Sequence, residues 1–91
     1  MAASTGFRVT ETQPTPNPNA LKFVLDRAIS ENPVSFFTAA SANGHPLATR
    51  LFAIPGVTTL LLLNDFVTVN KSPEKAWGEI TPQVKKVLAS G

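Results

Sequence analysis

The fifteen residues from Val57 to Lys71, VTTLLLLNDFVTVNK, constrain this chain more than any others, because two runs of strand-forming side chains flank an evident turn. Asn64 and Asp65 tolerate the positive φ that a two-residue type I′ turn demands, so the segment reads as a β-hairpin. Counting outward from the turn sets Leu63 opposite Phe66, Leu62 opposite Val67, Leu61 opposite Thr68, Leu60 opposite Val69 and Thr59 opposite Asn70. Alternate pairs share a face. Leu60, Leu62, Val67 and Val69 then make one wholly apolar face, while Leu61, Leu63 and Phe66 mix with Thr59, Thr68 and Asn70 on the other. An apolar sheet face has to be covered, and helices are expected to cover this one.

Before the hairpin, Phe7, Val9 and Glu11 alternate with Arg8 and Thr10, which predicts a first strand after a flexible start over residues 1–5. From Thr12 the chain becomes TQPTPNPN, whose prolines lack N–H donors and push their preceding residues toward extended backbone. It reads as a rigid, polyproline-like connector that cannot be an interior strand or helix. Leu21, Phe23 and Leu25 then alternate with Lys22 and Val24, predicting a second strand with Lys22 turned away from the core. Asp26 to Pro33 reads as a loop or irregular edge, Val34 to Thr38 as a short third strand, and the small-residue stretch AASANGH as a mobile segment.

Pro46 opens PLATRLFAI, with Leu47, Leu51 and Ile54 at helical spacing, and Pro55-Gly56 ends that short helix. After the hairpin, Ser72-Pro73-Glu74 reads as a helix start with a Ser cap and proline in the first position. Trp77, Ile80, Val84, Val87 and Leu88 continue at helical spacing across Pro82, so one helix bent near Gly78 to Pro82 is expected, with Lys85 and Lys86 in its last turns. The predicted order is β-β-(β)-α-β-β-α. That is an α+β fold in which an antiparallel-rich sheet carries two helices packed on one face, and residues 1–91 make one domain.

Function is bounded mainly by what is missing. There is no Cys, so the chain has neither thiolate ligands nor a Cys nucleophile. One His, six scattered acids and no Tyr give no convergent catalytic set, and neither an enzyme activity nor a cofactor or metal site is expected. His45, between Gly44 and Pro46, reads as a solvated loop residue. Eight basic and six acidic residues leave a net charge of +2, too little to build a strong phosphate-binding field. Lys71, Lys75, Lys85 and Lys86 near the last helix read as a solvated edge that complements its dipole. No apolar run is long enough to span a membrane and no export signal opens the chain, so a cytoplasmic protein is expected. The remaining candidate is the loop Pro16, Asn17, Pro18, Asn19 with Lys22 just beyond it. A stiff polar loop suits recognition, and it suits strand termination equally well.

Four segments, PTPNPNALKF, PLATRLFAIPGV, DFVTVNK and SPEKAW followed by Pro82, occur here in order. In that combination the chain resembles the N-terminal domain of Nfu/NifU-type iron-sulfur scaffold proteins from about Glu11 to Leu88. In longer members a second domain holds the cluster with a Cys-x-x-Cys pair, which this sequence lacks. The resemblance implies a stand-alone, non-enzymatic protein-binding module tied to iron-sulfur cluster assembly, docking a partner through Pro16, Asn17, Pro18, Asn19 and Lys22. One alternative is direct iron binding through non-thiolate ligands such as His45 and loop carboxylates. A second is weak nucleic-acid binding through the lysines with Arg8, Arg27 and Arg50.

Overall fold

The computed structural model describes residues 6–38, 40–42 and 44–90, so the expected flexible start lies outside the described residues. Its strands are β1 (Val9–Pro14), β2 (Ala20–Leu25), β3 (Ser30–Phe36), β4 (Val57–Asn64) and β5 (Phe66–Lys71), and its helices are α1 (Pro46–Phe52) and α2 (Trp77–Ser90). The strands form one antiparallel sheet in the order β1-β2-β5-β4-β3. Strands β4 and β5 lie at and beside its centre, and all five expected cross-strand pairs are present, from Leu63 opposite Phe66 to Thr59 opposite Asn70. The turn differs from expectation in one respect. Only Asn64 has a positive φ, 51°, whereas a type I′ turn needs it at both central residues. Both turn carbonyls accept hydrogen bonds from elsewhere in the chain: Leu25 N–H, at the end of β2, reaches Asp65 O at 2.6 Å, and Ile29 N–H, in the crossover to β3, reaches Asn64 O at 2.6 Å.

The sheet edges depart most from the sequence expectation. Strand β1 runs to Pro14, two residues beyond the point where the connector was expected to begin, because an edge strand needs no donor on its outer side. Strand β3 starts at Ser30, inside the expected loop, and its register against β4 shifts between Ser30 and Val34 to pass the exposed Pro33. In the stretch expected to be mobile, Ala39 and Asn43 lie outside the described residues. Ala40–Ala42 instead forms a 3₁₀ turn held by Thr38–Ser41 hydrogen bonds, with Ala42 fully buried.

Both helices lie over the same sheet face. Leu47, Ala48 and Leu51 of α1 and Ile80, Val84 and Leu88 of α2 join Phe23, Leu25, Leu60, Leu62, Val67 and Val69 in one buried cluster. The four apolar hairpin residues are at most 2 % exposed, while Leu61, Leu63, Phe66 and Thr68 on the opposite face are half-buried with no helix above them. His45 is not a solvated loop residue. Its Nδ1 accepts the Ala48 N–H at 3.2 Å to cap α1, and its ring meets Phe36 edge-on at 5.4 Å.

The start of α2 also differs. Ser72-Pro73-Glu74 forms a turn, closed by Lys75 N–H on Ser72 O at 3.1 Å, and the helix begins at Trp77. Ser72 gives its own N–H to Gly56 O at 2.8 Å, so tertiary contact rather than local capping sets its conformation. Glu79 supplies the cap by accepting Ala76 N–H on Oε2 at 3.3 Å. Gly56 has φ 100°, and a Cβ there would stand 2.6 Å from Lys75 Cγ, so the turn requires glycine on both counts. Beyond it, one helix continues across Pro82 to Ser90. Lys85 and Lys86 therefore fall short of the last turn, which holds no basic residue.

The register makes a sharp contrast. Leu62→Asp should cost about 4 kcal/mol or more of a total stability that is about 5–15 kcal/mol for such proteins, whereas Leu61→Asp, one residue away, should cost far less. Urea denaturation of the two variants measures this. Equal losses would contradict the observed facing.

Candidate docking surface

The loop 15–19 closes the β1–β2 hairpin and is folded on itself. Thr15 Oγ1 lies 2.8 Å from Asn17 O and 3.0 Å from Ala20 O, and it accepts the Asn17 N–H at 3.2 Å. Its single proton serves one carbonyl at a time. Asn17 Oδ1 accepts the Asn19 N–H at 2.9 Å, the pattern of an Asx turn, and Asn17 O accepts the Ala20 N–H at 3.0 Å. Pro16 and Pro18 leave no N–H groups in between that need partners. Pro16, Asn17 and Pro18 are exposed along the outside of this turn, while Asn19 is half-buried beneath it.

Two residues far along the chain hold the loop in place. Lys71, only 8 % exposed, donates from Nζ to Asn19 Oδ1 at 3.1 Å and to Ser72 O at 3.4 Å, and its backbone N–H reaches Asn19 O at 2.8 Å. The same ammonium stands 5.6 Å from the Trp77 ring centre. Trp77 gives its indole N–H to Pro18 O at 3.0 Å and packs edge-on against Phe23, ring centres 6.3 Å apart. Asn19 and Pro18 are thus bound on their inner side to β5 and α2. The sequence reading missed Lys71 and Trp77. Lys71, expected on a solvated basic edge, instead ends β5 on the buried side of the sheet with Leu60, Leu62, Val67 and Val69, and that shared alternation is the sequence signal for its burial.

Lys22 stands apart from this knot. It is opposite Gln13 on one side and Thr68 on the other, on the face turned away from the helices, with Nζ 4.1 Å above the Phe66 ring. Strand rise sets it about 10 Å along β2 from Asn19. The five candidate residues therefore comprise an exposed ridge of Pro16, Asn17 and Pro18, the half-buried Asn19 beneath it, and a half-buried lysine further along β2 on the open face of the sheet, rather than one compact cluster.

The other residues weighed above do not gather. Among the described residues, no three His, Asp or Glu side chains come together in a metal-binding group. Asp26 lies at the far end of β2, where the Arg8 N–H at 3.1 Å, and secondarily the Arg27 guanidinium at 3.5 Å, hold its carboxyl below the usual carboxylate range.

The Lys71–Asn19 contact generates an asymmetric prediction. Asn19→Ala should cost about 1–3 kcal/mol, because it strips a buried ammonium of an acceptor. Adding Lys71→Met in that background should recover part of the loss, since no unsatisfied charge then remains. Chemical denaturation of the single and double variants reports the difference, and additive losses would contradict the contact.

With this geometry in hand, comparison with known proteins is informative. The family model for the scaffold protein Nfu/NifU N-terminal region matches residues 9–91. The chain is 41 % identical over 76 residues to the human mitochondrial NFU1 iron-sulfur cluster scaffold homolog, covering 81 % of this chain and 30 % of that protein. The corresponding Drosophila willistoni protein is 38 % identical over 80 residues, covering 86 % of this chain and 28 % of that protein. The chain thus spans under a third of the length of these relatives. Among solved structures, the NifU-like protein of Saccharomyces cerevisiae superposes with a TM-score of 0.81 at 28 % identity, covering 98 % of this chain and 81 % of that one. Protein SAV1430 of Staphylococcus aureus shares the fold, with a TM-score of 0.77 at 20 % identity over 88 % of this chain and 96 % of that one. The motifs read from the sequence, the sheet and these matches agree: the chain belongs to the family of Nfu/NifU scaffold-protein N-terminal domains.

Proposed function

We propose that this chain is a non-enzymatic docking module in iron-sulfur cluster assembly, binding a protein partner through Pro16, Asn17, Pro18, Asn19 and Lys22. The observation that carries this reading is the pre-formed ridge. Thr15 and Asn17 satisfy the loop's own donors, while Lys71 and Trp77 anchor it from within, so little conformational entropy remains to be lost on binding. Backbone stiffened in this way on a rigid sheet is what recognition loops use. Pro16, Asn17 and Pro18 would meet the partner directly, with Asn19 holding the ridge from below. Lys22 adds a charge that a partner carboxylate can pair, and its ammonium is already oriented by Phe66.

The absence of Cys bears on the mechanism. A cluster is held chiefly by thiolates, so the module would serve assembly by positioning a partner while cluster ligands come from elsewhere. Incubating the 91-residue chain anaerobically with iron and sulfide, then desalting, should leave no bound cluster. A stable chromophore with stoichiometric iron and sulfide would overturn that part of the reading.

Affinity capture of cluster-assembly proteins from the native cell tests the docking surface itself. Lys22→Glu and Asn17→Ala should each keep the melting temperature within a few degrees, because neither side chain lies in the buried core. Lys22→Glu should weaken capture about tenfold, equivalent to about 1.4 kcal/mol. Unchanged capture of every partner by both variants would end the proposal.

A further inference from the structure

The face of the sheet turned away from the helices is built from two neighbouring rows of side chains. Cross-strand pairing sets Glu11, Val24, Phe66 and Leu63 side by side in one row, and Gln13, Lys22, Thr68, Leu61 and Ser35 in the next. Val24, Phe66, Leu63 and Leu61 make a contiguous apolar block, and all four are only half-buried. The two rows hold one cation and one carboxylate, on adjacent strands and one row apart. Such a diagonal separates Cβ atoms by about 7–8 Å. The two groups nevertheless turn away from each other: Lys22 Nζ lies 4.1 Å above the Phe66 ring, toward β5, and Glu11 Oε2 accepts from Gln13 Nε2 at 2.8 Å along its own strand. Neither charge takes part in an ion pair among the described residues.

We propose that this face is covered by the same face of a second copy of the chain, in a weak, reversible dimer. A two-fold axis running across the strands, between the two rows, lays each row of one copy on the other row of its mate. Leu63 then meets Leu61 and Phe66 meets Thr68. Glu11 lies over Gln13 of the second copy, one strand away from that copy's Lys22. A strand spacing of about 4.8 Å leaves the ammonium within reach of the carboxylate, and the symmetry makes the pair twice. A foreign partner would have to bring both charges in matching places, whereas this face already carries them in the arrangement an isologous contact requires. Area sets the strength. Five strands about 4.8 Å apart and about four residues of about 3.4 Å give a footprint of roughly 24 by 14 Å, about 340 Å² in projection. A stable complex buries about 800 Å² of accessible surface per partner, so this contact belongs to the transient class. Such a dimer covers Lys22, so docking at Lys22 and self-association exclude one another. That consequence rests on the docking role proposed above, and the self-association itself does not.

Sedimentation equilibrium and ¹⁵N amide spectra of the full chain, followed from micromolar to millimolar concentration, test this. A monomer–dimer equilibrium is expected, with concentration-dependent shifts on the two rows and none on the helix side. Lys22→Glu and Glu11→Lys should each weaken association at least tenfold, because each sets like charges against one another. Mixed in equal amounts, the two variants should associate as the unaltered chain does, since each then supplies the charge the other lacks. If a reversal disturbs the dispersed amide spectrum, Lys22→Gln and Glu11→Gln make the same test and should weaken association in the same direction. A monomer at millimolar concentration, association indifferent to both reversals, no recovery in the mixture, or shifts confined to the helix side would overturn the proposal. Partner capture keeps it distinct from the docking reading. Glu11→Lys should leave capture intact at micromolar concentration and raise it where the unaltered chain dimerises, and unchanged capture there would overturn the mutual exclusion. Capture that ignores Lys22→Glu while dimerisation responds to it would sink the docking reading and leave the dimer standing.

Discussion

Everything in this molecule depends on the register of one β-hairpin. Because side chains alternate strictly along a strand, moving β4 by one residue against β5 would turn Leu60 and Leu62 outward and put Thr59 and Leu61 beneath the helices. The face beneath the helices would then lose Leu60 and Leu62 and take in the hydroxyl of Thr59. The observed register buries Leu60, Leu62, Val67 and Val69 almost completely, and Leu51, Ile80, Val84 and Leu88 pack over them. The tip of the hairpin also receives the end of β2 and the β2–β3 crossover on the carbonyls of Asp65 and Asn64. One short turn thus orders the central strands and fixes where the outer ones join.

The opposite end of the hairpin positions the candidate surface. Lys71 is the last residue of β5, and the same pleat that buries Val67 and Val69 carries its side chain inward, toward Asn19 and the Trp77 ring. A buried ammonium is costly unless its donors are met, and Asn19 of the loop supplies one acceptor while Ser72 O supplies another. Core packing and loop conformation are therefore coupled. The ridge of Pro16, Asn17 and Pro18 is shaped by contacts from beneath, as a surface must be if it is to present a fixed shape to a partner.

The parts of this structure that were legible in the sequence are those set by local pattern. Two apolar runs about Asn64-Asp65 specified five pairs correctly, and the helical spacing of Ile80, Val84 and Leu88 specified the buried stripe of α2. The features that escaped are set by contacts distant along the chain. Ser30 joins β3 by pairing with Asn64, which nothing in its own neighbourhood indicates. Ser72 looks like a helix cap from its neighbours Pro73 and Glu74, but its N–H is taken by Gly56 O and the helix starts later. The turn at Asn64 takes a form other than type I′ because both of its carbonyls are shared with a third segment of chain. At the candidate surface, the proline–asparagine loop was visible as a stiff polar segment. Its anchor was not, because Asn19 and Lys71 are 52 residues apart.

The ridge is folded in the free chain by its own hydrogen bonds, and amide hydrogen exchange is the measurement that reads this. Asn17, Asn19 and Ala20 each donate a backbone hydrogen bond within the turn. Their amides should therefore exchange more slowly than an unstructured chain of the same sequence, and Asn19→Ala or Trp77→Phe should speed them by loosening the anchor. Exchange of all three at the unstructured rate in the folded protein would contradict the account, because the loop would then be ordered only by its partner.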